Sequence, residues 1–199
     1  MLKPNLSVIK SFISYDEYKK QFKQQVSVND VNSLSENDRE YFEYRKLNFQ
    51  RTSRVEKTFT PSEETNKTFS SITDKQKWFV ITESWCGDSA QSLPVIASLA
   101  ALSDKIEFNI VLRDLNSEFM SLYLTNGGKS IPKLIVFDKD GRELFNWGPR
   151  PEDAQALFNN LKEQGKDKTE IITEIHLWYA KNSGKEVEKE ITELIQNVS

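Results

Sequence analysis

The sequence predicts an α/β domain lengthened by helices at both ends. Four short apolar runs of strand length, Lys77–Thr82, Phe108–Leu112, Ser130–Asp138 and Glu143–Trp147, fall in the middle of the 199-residue chain. A helix-length segment separates the first two, and a tight turn joins the last two. The stretches before and after them carry apolar residues at helical spacing instead. No segment repeats internally and none is of low complexity.

The first 75 residues read as helices. Ser14-x-x-Glu17 and Ser35-x-x-Asp38 have the form of capping boxes, in which side chains satisfy the orphan N–H groups of a first turn. Thr60-Pro61-Ser62-Glu63 adds a proline suited to the first helical position. The longest helix is expected over about Glu36 to Thr58, with Tyr41, Tyr44 and Leu47 at helical spacing. Its other face holds Arg45, Lys46, Arg51, Arg54 and Lys57. That face could bind an anion or an acidic partner, but Glu40, Glu43 and Glu56 partly balance it, which favours a solvated surface.

Lys77-Trp78-Phe79-Val80-Ile81-Thr82 is apolar enough for a strand buried on both faces. Ser89–Leu102 follows as a helix with Pro94 inside it. The second strand, Phe108–Leu112, ends at Arg113-Asp114. Gly127-Gly128-Lys129 gives a flexible approach to the third strand. Asp138-Lys139-Asp140-Gly141 then reads as a hairpin turn into Glu143–Trp147, with Gly148 after it. Gly165–Lys168 marks a loop. Ile171/Ile172, Ile175 and Trp178/Tyr179 form one helical stripe beyond it, and Val187, Ile191, Leu194/Ile195 and Val198 a second, with a break at Asn182-Ser183-Gly184. Such stripes dock on their own domain more often than on a partner, though they would also serve as a homodimer surface.

The single cysteine, Cys86, stands in Trp85-Cys86-Gly87-Asp88-Ser89, between the first strand and its helix. With Pro94 eight residues on, Ile131-Pro132 opening the third strand and Gly148 closing the fourth, this segment resembles the thioredoxin superfamily over roughly residues 75 to 163. The whole chain is also similar to bacterial thioredoxin-like proteins with a monothiol Trp-Cys-Gly-Asp-Ser site. The resemblance implies a thioredoxin-like fold: a central mixed β-sheet flanked by helices, with additional N-terminal and C-terminal helices. The expected organisation is a helical extension over 1–74 packed on the core, the thioredoxin-like domain over 75–163, and a second helical extension over 164–199.

It also implies that Cys86 is an attacking thiol. A thiol attacks a disulfide as the thiolate, and a helix start favours that charge. Gly87 allows a tight turn beside the sulfur. Ser89 replaces the second cysteine of a dithiol enzyme in shape but not in chemistry, and could hydrogen-bond a thiolate. Asp88 acts the other way, since a neighbouring negative charge raises a thiol pKa. A cis Ile131–Pro132 bond, as in the superfamily, would turn the Ile131 backbone toward Cys86 and offer it to an extended substrate. Trp85, Arg113, Trp147, Gly148 and Arg150 are candidates for the rim; Arg113 could equally pair with Asp114, and Trp147 could belong to the core. Thioredoxins carry a buried acid six positions before the cysteine, and here that position is Val80.

The leading expectation is a monothiol exchange protein in which an external low-molecular-weight thiol resolves the mixed disulfide, on a protein or a small molecule. The alternative is a redox-inactive binding module that keeps the fold and its groove. A glutathione-linked iron–sulfur site of the monothiol glutaredoxin kind is a weaker reading, because Asp88 stands where those proteins have phenylalanine. A one-cysteine peroxidase lacks its activating threonine-and-proline setting. His176, the lone histidine, is expected at a polar surface or interface, and one cysteine and one histidine far apart do not make a zinc site. No other cofactor is expected. A net charge of -3 gives no general attraction to nucleic acid. Met1–Lys10 lacks the apolar stretch of a signal peptide and no segment could span a bilayer. With one cysteine, this suits a reducing, cytoplasmic setting.

Overall fold

The computed structural model describes residues 6–198, so the Met1–Asn5 part of the N-terminal stretch lies outside the described residues. Four strands, β1 (Gln76–Thr82), β2 (Ile106–Leu112), β3 (Lys133–Asp138) and β4 (Glu143–Trp147), form one sheet in the order β2-β1-β3-β4. β1 pairs parallel with β2 and antiparallel with β3, and β3 pairs antiparallel with β4. This is the mixed sheet flanked by helices that the resemblance implied. Apart from Lys77, every residue of β1 is buried, as a central strand covered on both faces requires.

Eight α-helices surround the sheet among the described residues: α1 (Tyr15–Val26), α2 (Glu36–Thr58), α3 (Glu63–Ser70), α4 (Gly87–Ala100), α5 (Ser117–Ser121), α6 (Glu152–Glu163), α7 (Lys168–Asn182) and α8 (Lys185–Gln196). One face of the sheet presents Trp78, Val80, Ile110, Leu134, Val136 and Phe145. Against it pack Tyr18 and Phe22 of α1, Phe69 of α3, Leu93, Ile96 and Leu99 of α4, and Val187, Ile191 and Ile195 of α8. The other face presents Phe79, Ile81, Val111, Ile135 and Phe137 to Phe119 and Met120 of α5, and to Ile131 and Cys86. Trp78, Phe69, Phe119 and Phe137 are fully enclosed, and each contributes roughly 1.5–3 kcal/mol of hydrophobic stabilisation. Leu161 of α6 and Ile171, Ile175 and Tyr179 of α7 make a separate apolar seam. Among the described residues, no helix is long and apolar enough to cross a membrane.

The helical extensions depart from their sequence reading in two places. α3 is capped by Ser62 and begins at Glu63, so Pro61 lies outside it. α2 is rotated relative to the expected stripe: Tyr44 and Leu47 are exposed, while Phe42, Arg45, Asn48, Thr52 and Val55 face inward. The inner face is partly polar because Asn48 and Thr52 meet backbone carbonyls there. Asn48 Nδ2 donates to Ser84 O at 3.1 Å, and Thr52 Oγ1 to Ala90 O at 3.3 Å. Buried polar groups persist where partners satisfy them. Arg45, read as solvated, is 8% exposed and pairs with Asp38 at 2.9 Å.

Candidate functional site

β1 ends at Thr82, and Glu83, Ser84 and Trp85 turn the chain into α4. The Cys86 N–H donates to Glu83 O at 3.1 Å, and the Cys86 carbonyl accepts from Ala90 at 3.1 Å. Cys86 is therefore the N-cap of α4, and Asp88 lies in the first turn. Its Sγ donates to Ile131 O at 3.3 Å, across the Ile131–Pro132 bond, which is cis. The thiol is 9% exposed. Burial first, and the Asp88 carboxylate second, push its pKa up to about 11. The Ser89 hydroxyl and the N–H groups of Asp88 and Ser89 work against that rise. In the resting site the buried Ser89 hydroxyl has no hydrogen-bond partner, leaving it free to donate to a thiolate.

Asp88 is held by the domain itself, through Arg150, and by its C-terminal extension, through Tyr179. Arg150 grips it with Nε to Oδ1 at 2.9 Å and Nη2 to Oδ2 at 2.7 Å, and the Tyr179 hydroxyl of α7 donates to Oδ1 at 3.1 Å. The Arg150 guanidinium also lies 4.4 Å over the ring of Phe158. The second contact of α7 is His176, whose Cε1 and Nε2 would each lie 2.7 Å from a Cβ at Gly87. Burial, and then the charges of Arg51, Arg150 and Arg54, lower the pKa of this imidazole to about 4. His176 thus belongs to the turn carrying the cysteine rather than to a polar surface. Arg51 of α2 reaches the same place, with Nη1 3.5 Å from the Gly87 Cβ position and 2.9 Å from Asn48 Oδ1. Its part of α2 is therefore a wall of the site, not a solvated face.

The proposed rim divides. Trp85 stacks with the Tyr41 ring, at 5.4 Å and 29°, and the Arg113 guanidinium lies over its ring at 4.5 Å. Arg113 also pairs with Asp114 at 2.8 Å. Trp85, Gly87, Asp88, Ser89, Ile131, Pro132, Arg113 and Arg150 thus gather around the Cys86 turn or one contact away. Trp147 does not: it is buried, its Nε1 donates to Glu190 Oε2 at 2.5 Å, and it lines a cleft of about 980 Å³ among β4, α6 and α8, which Ser130, Gly148 and Arg150 also border. Gly148 backs Pro132, since any Cβ there would collide with Pro132 O, and its own carbonyl accepts from Lys133 Nζ at 2.6 Å. Val80 is fully buried in the core. Among the described residues, no group of three or more His, Cys, Asp and Glu side chains is arranged to hold a metal ion.

Sequence reasoning missed Asn48, Arg51, Gln91, His176 and the Asp88 contact of Tyr179. One signal was present: His176 falls between Ile175 and Tyr179 on the stripe expected to face the domain. What that stripe would meet was not in the pattern.

The family described as Thioredoxin matches residues 35–164. Among curated proteins, none matches the sequence. Among solved structures, the chain is similar to an HIV epitope-scaffold protein, at 16% identity and a TM-score of 0.57 over 94% of this chain and 100% of the other. It is similar as well to a protein of unknown function, PA1234 from Pseudomonas aeruginosa, at 15% identity and a TM-score of 0.56 over 94% and 99%. At that identity the likeness is one of fold, and it includes the helical extensions as well as the sheet. The sheet order, the helix that starts at Cys86 and the family match agree: the chain belongs to the thioredoxin family.

Proposed function

We propose that the protein carries out monothiol thiol–disulfide exchange through Cys86. The observation that carries this reading is the position of the sole cysteine at the N-cap of α4, with its Sγ against the Ile131 carbonyl. Loss of the thiol proton to solvent gives the thiolate. It attacks one sulfur of a disulfide, forming a Cys86 mixed disulfide and expelling the other half as a thiolate. An external low-molecular-weight thiol then attacks the mixed disulfide, releases Cys86 and leaves as a new disulfide. No second cysteine of this chain enters the cycle, and Val80 offers no proton acceptor. With a pKa near 11, roughly one molecule in ten thousand carries the thiolate at neutral pH. Exchange is therefore slow in the resting site. A cytoplasmic location supplies the external thiol; the partner is a protein or small-molecule disulfide, with no role for nucleic acid or membrane.

The burial and raised pKa of Cys86 favour a second reading, a redox-inactive binding module. Incubation with a glutathionylated protein separates the two. Transfer of the mixed disulfide to Cys86, seen by mass spectrometry and lost in Cys86→Ser, supports exchange. Absence of any Cys86 adduct, with partner binding equal in wild type and Cys86→Ser, supports the binding module.

A further inference from the structure

The wall formed by α2 and α7 beside Gly87 is electropositive and incompletely paired. Three guanidinium groups, Arg51, Arg54 and Arg150, act on the His176 ring, and the one carboxylate held among them, Asp88, is gripped by Arg150. Arg51 is half-buried, and among the described residues it makes no ion pair. Its charge is disfavoured by burial and by Arg54, and Asp88 relieves this only in part. Two like charges held this close, without a carboxylate of their own, are stabilised when an anion arrives.

A hydrogen-bond chain also fixes how His176 faces this space. Arg54 Nη2 donates to Gln91 Oε1 at 3.0 Å, which orients the amide so that Gln91 Nε2 faces His176 Nδ1 at 3.4 Å. Nδ1 is then the acceptor, and the ring proton of the neutral imidazole resides on Nε2. The Cε1–Nε2 edge of the ring lies over Gly87, where Arg51 Nη1 also approaches. The wall thus presents two guanidiniums and one N–H donor next to the residue that follows the nucleophile.

We propose that Arg51, Arg54 and His176 Nε2–H form a binding site for a carboxylate carried by the small thiol or disulfide that reacts at Cys86. Acidic thiols and disulfides are then the preferred small-molecule substrates. This rests on the exchange reading above. The local preference opposes the whole molecule, whose net charge of -3 would by itself draw in cations. An anion preference can therefore be assigned to the site and not to the overall field.

The test is the rate at which Cys86 forms mixed disulfides with dithiodipropionate, hydroxyethyl disulfide and cystamine, which are anionic, neutral and cationic. Each rate is divided by that of the same disulfide with a free small thiol, at low ionic strength. The expected order is anionic above neutral above cationic, spanning roughly tenfold and compressed by added salt. Arg51→Gln and Arg54→Gln should each pull the ratios toward one. Lys46→Gln, which removes the same charge from a side chain paired with Glu43, should not. Equal rates in the wild type, or an order that survives both arginine changes, would overturn the proposal while leaving exchange intact. If no disulfide reacts, the exchange reading fails, and calorimetric titration of Cys86→Ser with dithiodipropionate decides the site alone. Binding weakened by Arg51→Gln upholds it, and no binding ends it.

Discussion

His176 lies directly on the backbone of Gly87: a Cβ at residue 87 would sit 2.7 Å from both Cε1 and Nε2 of the ring. The C-terminal helix α7 thereby touches the turn that carries Cys86, and the Tyr179 hydroxyl on Asp88 makes the second point of contact. The turn that carries the thiol and the C-terminal extension are thus packed together. Access to Cys86 depends on residues far from it in sequence.

Gly87→Ala tests this packing. At the first position of a helix alanine is normally as good as glycine or better, so any loss reports the collision with His176. The expected cost is about 1–2 kcal/mol in urea denaturation. His176→Ala in the same chain should return most of it, a non-additive pair. An undiminished cost in the double variant would place the clash elsewhere.

Asp88→Asn removes the carboxylate that helps raise the thiol pKa and leaves Arg150 unpaired. The two side chains are 14% and 19% exposed, and separating such a pair should cost about 2–4 kcal/mol. The Cys86 titration, followed by the pH dependence of alkylation, should move downward. An unmoved titration would mean that burial alone sets the thiol.

His176 gives stability a pH dependence of known sign. Its pKa is about 4 when folded and near 6.5 when free, so the unfolded chain binds the proton first as pH falls. The stabilisation is full above pH 6.5 and is lost as pH drops toward 4. Its ceiling is about 3 kcal/mol, less for a ring partly open to solvent. Urea midpoints across this range should fall more steeply for the wild type than for His176→Gln. Glu83 and Glu190, whose pKa values are raised by burial, act with the opposite sign in both proteins and leave the difference intact.

For Cys86 the linkage runs in the alkaline direction. Its neutral form is favoured by folding, so the stabilisation is present below pH 9 and is lost as pH rises through about 11. At a pH near 8, iodoacetamide should alkylate the folded protein roughly a hundredfold more slowly than the unfolded chain. Equal rates would contradict a buried, neutral thiol.

Much of the fold was legible because it rests on local rules. β1 and β3 are near-continuous apolar runs suited to central strands, and Ser14 and Ser35 cap α1 and α2 by accepting from Glu17 and Asp38 N–H. The site was legible as far as the Trp85–Ser89 turn and the Ile131–Pro132 segment extend. α2 was misread because an inward face is normally recognised by apolar residues. Here Arg45, Asn48 and Thr52 point inward to partners that no periodicity encodes.

The sequence by itself determined the α/β class, the placement of a lone cysteine at a helix start, and the absence of a second thiol. These follow from residue identity and short-range periodicity, which the chain carries wherever it folds. Tertiary structure decided the rest. It buried the thiol, tied Asp88 to Arg150 and Tyr179, and set His176 and Arg51 against Gly87. A pKa depends on which charges stand within a few ångströms and how much water is excluded, and both are set by the packing of α2 and α7 onto the N-terminus of α4.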